Sequence, residues 1–202
     1  MGSKRGISGL QGPSASECPA LAAFIDGTRK ALSQDGFSEE KILLRVSALM
    51  RRLVSTDTWL APSYSETGTD SYRQFLLYRD PFDRFSVVSF VWGPGQSTPI
   101  HDHGVWGVIG MLRGAEFAQR FVIGADGRPE QSGPPERLNP GETTTVSPAT
   151  GDVHKVCNAY SDRVSVSIHV YDGNIGAIRR SMFVEASGLW KEFVSGYSNL
   201  PG

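Results

Sequence analysis

All four histidines of this sequence fall between positions 101 and 169. His101 and His103 form a His-x-His pair. On a strand, residues i and i+2 project from one face, about 6.6 Å apart along the chain. Two imidazoles so placed can converge on one metal at nitrogen–metal distances of about 2.0–2.2 Å. A second pattern lies in SVSIHVY, where Ser167, His169 and Tyr171 occupy i, i+2 and i+4. A strand puts all three on one face and Val166, Ile168 and Val170 on the other. An inward polar row costs free energy unless its members bond to one another or to a ligand. Two readings stand. The row is solvated and the Val/Ile/Val face is inward, or the row is a relay in which Ser167 orients His169 and His169 orients the Tyr171 phenol.

Elements must exist to hold such residues. The chain has 202 residues, a net charge of −1, 39% hydrophobic residues, 23 glycines and 12 prolines. That composition suits a globular protein rather than a disordered one. The near-zero charge gives no reason to expect nucleic acid or anionic lipid as a partner. No apolar run reaches the roughly 18–20 residues that span a bilayer. The amino-terminal stretch lacks the apolar core of a secretory signal. Two cysteines, Cys18 and Cys157, are too few for a disulfide framework, and a cytoplasmic setting is expected.

Residues 1–15 read as a flexible tail, and 16–202 as one domain with a helical flank over 16–62. Leu21, Phe24, Ile25 and Leu32 recur at helical spacing from Cys18 to about Ser33, with Pro19 suited to the first turn. Ile42, Val46, Leu49, Met50 and Leu53 form a second helical face, with Glu39 and Glu40 at its start and Arg51 and Arg52 at its end. Beyond residue 62 the pattern predicts strands at 85–92, 108–112, 117–123, 143–146, 153–157 and 164–171, separated by glycine- and proline-rich turns. Many short strands at close spacing indicate a mainly β sandwich or barrel. A short helix is expected over 185–194.

The segments GQSTPIHDHGVWGVIGMLRGAE and PATGDVHKVCN resemble the two sequence motifs of the cupin superfamily, a double-stranded β-helix (jelly-roll) barrel. Gly95, His101, His103 and Gly114 fit the first motif, and Gly151, His154 and Asn158 the second. The resemblance implies a single metal held by His101, His103 and His154. Cupins commonly add a glutamate after the His-x-His pair, but Gly107 stands there, so no carboxylate joins the set. Asp102 alternates with its neighbours and should face away. Imidazole donors suit several metals, iron and zinc among them.

A three-histidine cupin followed by S-x-H-x-Y is similar to the thiol dioxygenases, which include cysteine dioxygenase and 3-mercaptopropionate dioxygenase. The likeness runs from about Ser71 to Tyr171. It implies Fe(II) as cofactor, a small thiol and O2 as partners, a sulfinate product, and Ser167, His169 and Tyr171 as the catalytic relay. In mammalian-type cysteine dioxygenases a cysteine crosslinks to the relay tyrosine; here Gly107 takes that place, leaving Tyr171 a free phenol. The substrate-carboxylate arginine of cysteine dioxygenases corresponds to Gln74, as in the bacterial 3-mercaptopropionate subgroup. A shift of one residue would instead turn Arg73 inward and favour cysteine. Arg180 could supply the charge or lie in solvent, and Trp106 could shape the pocket or be plain core. An isomerase, hydrolase or binding cupin remains an alternative function, and the chain could be a monomer or a homodimer.

Overall fold

The computed structural model describes residues 18–200. Two helices come first, α1 (Pro19–Leu32) and α2 (Glu39–Leu53). Pro19 occupies the first turn of α1, where its missing N–H costs nothing. Ser38 caps α2, accepting from the Lys41 amide, and Glu39 and Glu40 complement the helix dipole. Then follow the strands β1 (Arg73–Arg79), β2 (Phe85–Trp92), β3 (Ile100–His101), β4 (Gly107–Arg113), β5 (Glu116–Ile123) and β6 (Pro129–Gln131). The remainder are β7 (Glu136–Leu138), β8 (Thr143–Val146), β9 (His154–Asn158), β10 (Ser165–Asp172), β11 (Arg180–Val184) and β12 (Leu189–Phe193).

The strands build two antiparallel sheets. One runs β1-β2-β10-β4-β8; the other runs β12-β11-β3-β9-β5-β6, with β7 beside β5. Neighbours in space are far apart in sequence, as in a jelly roll. The central strands β2 and β10 are buried along nearly their whole length. Period-2 alternation divides them. Val87, Val91, Val166, Ile168 and Val170 pack outward with Leu21, Phe24, Val46 and Met50 of the helices. Val88, Phe90, Trp92, Ile109, Met111 and Tyr171 pack inward with Val156 of the facing sheet. The first sheet is thus covered on both faces, and the helices exist to cover the outer one. Gly110 shows how close they come: a Cβ there would lie 2.5 Å from Met50 Cγ.

Three expectations need correction. Residues 185–194 do not form a helix. Ser187 and Gly188 donate to the Val184 carbonyl, and Gly188 adopts a φ of 67°. The chain therefore turns back, and β12 pairs with β11. Aromatic packing of Trp190 on Phe183, with ring centroids 5.5 Å apart, holds the hairpin. Strands β1, β3, β6, β7 and β11 also lie outside the expected set. Trp106 shares parity with Val108 and Leu112 on β4, so it belongs to the apolar layer against the helices and does not shape a pocket. The expected tail over 1–15 lies outside the described residues.

Both cysteines are free thiols, and no described helix is long and apolar enough to cross a membrane. Met50 is fully buried at the helix–sheet contact. Met50→Ala is expected to cost about 2–5 kcal/mol through lost burial and the cavity left behind, read as a lowered midpoint in thermal or urea unfolding.

Candidate metal centre

Two strands and one loop bring three of the histidines together. His101 ends β3 and pairs directly with His154 on β9. His103 lies two residues past the end of β3, so the pair does not share a regular strand as expected. A loop contact fixes it instead. The Asp152 carboxylate accepts from the backbone N–H groups of His103 and Gly104 at 3.0 and 2.9 Å. The three rings converge with centroids 4.8–4.9 Å apart, and donor nitrogens within 4.8 Å of one another. Small side-chain rotations would let one ion gather them.

The tautomers suit that role. His101 Nδ1 faces the Pro99 carbonyl at 3.0 Å and His103 Nδ1 faces the Asp152 carbonyl at 3.1 Å. A carbonyl can only accept, so each Nδ1 carries the proton and each Nε2 keeps a lone pair. Burial pushes His101 down to about 4. Burial and mutual repulsion hold His103 and His154 well below the ordinary imidazole range. Neutral imidazole is the form that binds metal. Asp102 turns away, accepting from the Ser181 amide at 2.8 Å, so no carboxylate joins the triad among the described residues. Asn158, the last position of the second motif, is structural: its amide donates to the carbonyls of Trp92, Gly93 and Arg163.

The polar row points inward. His169 Nδ1 lies 2.8 Å from the Tyr171 hydroxyl, and His169 Nε2 lies 2.8 Å from Ser167 Oγ. Tyr171 stacks on His103 with centroids 5.4 Å apart. Burial holds its phenol well above the usual tyrosine range, so it stays protonated. Gly107 sits opposite Tyr171 in the β4–β10 register. A Cβ at Gly107 would come within 2.6 Å of the Tyr171 ring, so glycine is what admits the phenol at this place.

A small cavity beside the rings is lined by Gln74, Arg180, Tyr72, Phe90, Phe193 and Thr98, with His101, His154, His169 and Tyr171. Gln74 reaches it because it pairs with Phe90 on β2, while Arg73 pairs with Val91 and takes the other face. Both N–H groups of the Gln74 amide are engaged, one with Ser195 Oγ at 2.7 Å and one with the Gly196 carbonyl. Arg180 is buried. It donates to Ser195 Oγ at 2.6 Å, and its planar head lies 4.6 Å over the Phe193 ring. Its Nε has no partner and no carboxylate pairs with it among the described residues. Ser195 therefore ties Gln74 to Arg180. Sequence reasoning missed Ser195 and Asp152, of which only Asp152 carried a signal, lying inside the second motif; Tyr72 stands in the Tyr72-Arg73-Gln74 segment that aligns Gln74 with the clamp but was given no role.

The curled sheets and inward histidine triad define a cupin barrel with a three-histidine site. The family model for cysteine dioxygenase type I matches residues 45–182, and the chain belongs to that family, one of dioxygenases. It is also similar to solved structures at low identity. A protein with a double-stranded β-helix domain from Klebsiella pneumoniae shares 18% identity over 57% of this chain and 89% of that one, with a TM-score of 0.45. A cupin superfamily protein from Desulfitobacterium hafniense shares 12% over 54% and 84%, with a TM-score of 0.42. A cupin-2 domain from Rhodospirillum rubrum shares 14% over 65% and 82%, with a TM-score of 0.44.

Two outcomes follow from this geometry. His154→Ala is expected to reduce bound metal per chain to background in elemental analysis. The folded rings titrate below their unfolded value of about 6.5. The unfolded chain then binds more protons, so stability is full above that value and falls as pH drops from 6.5 toward 4. Urea midpoints of metal-free protein across that range would show the decline.

Proposed function

We propose that this protein is a non-haem Fe(II) thiol dioxygenase. It adds both atoms of O2 to the sulfur of a small thiol carboxylate, giving a sulfinate, and favours 3-mercaptopropionate. The observation that carries the substrate reading is the Arg180 guanidinium, buried in the histidine cavity without an acidic partner. A buried unpaired charge is costly, and a carboxylate entering the cavity would complete a charge-assisted pair. An acid whose thiol end reaches the histidines satisfies both ends of the cavity.

The same cavity disfavours an α-ammonium group. Among the described residues no aspartate or glutamate lines it, and Arg180 would repel a second cation. The family's name keeps L-cysteine as the second reading. Gln74 acts through Ser195: with its N–H groups engaged, it holds the hydroxyl that orients Arg180 and does not itself clamp the acid.

Three neutral imidazoles, two of them with Nε2 lone pairs fixed by carbonyls at Nδ1, fit a ferrous ion held by His101, His103 and His154. When bound there, iron would supply the redox chemistry by which dioxygen reacts with sulfur. The chain's own residues do the rest. Tyr171 offers a protonated phenol beside His103, able to give or take a hydrogen bond with the reacting groups. Ser167 and His169 hold its orientation. Phe90, Trp92 and Val156 supply the apolar part of the cavity wall, which would limit stray oxidation.

Oxygen uptake with 3-mercaptopropionate, cysteine and cysteamine, coupled to metal analysis, tests the reading. Uptake should be most efficient with 3-mercaptopropionate and should scale with iron content; absence of uptake with every thiol would end it. Arg180→Gln should raise KM for 3-mercaptopropionate about 10- to 100-fold, the loss of a charged hydrogen bond of about 1.5–3 kcal/mol. It should not raise KM for cysteamine, which has no carboxylate to lose and carries an ammonium that Arg180 repels.

A further inference from the structure

Ser195 ties Gln74 to Arg180, and the way it does so leaves one proton over. Its Oγ receives Gln74 Nε2 at 2.7 Å and Arg180 Nη2 at 2.6 Å. A side-chain amide nitrogen and a guanidinium can only donate, so each takes one of the two lone pairs. The hydroxyl has no lone pair left and can only donate its proton. Among the described residues nothing accepts that proton.

The proton lies where two cavities meet. The histidine cavity has a volume of about 20 Å³, room for about one water. A second, of about 400 Å³, is lined by Ser71, Met182, Ser195, Tyr197 and Ser198. The two share Tyr72, Gln74 and Phe193 as a common wall. Arg180 lines the first cavity and Ser195 the second, so their hydrogen bond crosses the junction. Among the described residues no aspartate or glutamate lines either cavity. The segment that carries Ser195 is pinned on both sides of the junction. Gly196 turns with a φ of 63° and donates from its amide to the Gly176 carbonyl at 3.0 Å. The Ser198 amide donates to the Gln74 carbonyl at 2.7 Å. The Tyr197 hydroxyl accepts from the Gly176 amide at 2.9 Å and donates to Asn174 Oδ1 at 2.6 Å.

We propose that Ser195 is a substrate-binding residue, and that a carboxylate is held at this junction by Arg180 from one side and the Ser195 hydroxyl from the other. One carboxylate oxygen takes the guanidinium, whose Nε has no partner among the described residues. The other takes the Ser195 proton, replacing the water that accepts it in the free protein. The two bonds that Ser195 accepts polarise its O–H and make it a stronger donor. Gln74 contributes by filling a lone pair, so the hydroxyl cannot turn round and accept. An ammonium therefore gains nothing from Ser195. This deepens the carboxylate reading of Arg180 and rests on it: an acid whose thiol reaches the histidines ends at the junction.

The test uses the metal-free full chain and propionate, a carboxylate without a thiol, so neither iron nor dioxygen is involved. Binding is read from the backbone amide resonances of Gly196 and Tyr197, with propanol as the neutral control. The wild type should give saturable shifts with propionate and none with propanol. Ser195→Ala should weaken propionate binding about 5- to 10-fold through the loss of one hydrogen bond, with the urea midpoint unchanged. Arg180→Gln keeps an N–H donor for Ser195, so the hydroxyl stays arranged as before. Adding Ser195→Ala to Arg180→Gln should therefore cost the same factor again, because the two groups hold the acid separately. Initial slopes of shift against concentration give that ratio where saturation is out of reach. If Ser195→Ala matters only while Arg180 is present, the serine merely orients the guanidinium and the assignment is overturned. Absence of saturable shifts in the wild type would overturn it too. Oxygen uptake by the iron-loaded protein judges the dioxygenase reading separately in either case.

Discussion

The structure depends on keeping four imidazoles neutral inside an apolar barrel. Charged rings there would cost far more than the fold can supply, and an unpaired neutral ring would still lose its hydrogen bonds with water. Carbonyls of Pro99 and Asp152 fix two of the rings, and Ser167 and Tyr171 fix a third. Each partner sits on backbone that the barrel itself holds. The same burial that suppresses protonation also leaves lone pairs directed at one point, so the metal site is a consequence of how the rings are stabilised.

That arrangement requires a stiff frame on both sides of β10. Its inward row is polar, so its outward row of Val166, Ile168 and Val170 must supply the burial that holds the strand in place. The helices provide the surface against which that row packs. Met50 seated over Gly110 fixes how near α2 comes. The helical flank has no residue in the cavity, but the register of the relay depends on it.

The substrate end is built from parts distant in sequence. Gln74 comes from β1, Arg180 from the start of β11, and Ser195 from the chain after β12. A single hydroxyl joins them. The site is thus a neutral, metal-ligating end and a cationic end facing one small cavity. The proposed thiol carboxylate would place a soft donor at the first and a negative charge at the second.

Much of this was legible in the residues. Runs of β-branched and aromatic residues between turn clusters marked β2, β4, β5, β8, β9 and β10 to within a residue or two, and the 3.6 period marked both helices. The motifs named the three histidines, and the i, i+2, i+4 row put Ser167, His169 and Tyr171 on one face. Local spacing determines such facts because a backbone of known pitch assigns each side chain to a face. It could not say which face is inward, since β10 is apolar on one side and bonded to itself on the other. Nor could it seat Trp106 outside, bury Arg180, spend the Gln74 amide on Ser195, or turn 185–194 into a hairpin. Those outcomes were decided by tertiary structure, because each depends on which distant strand supplies the partner. Spacing along one chain carries no information about that.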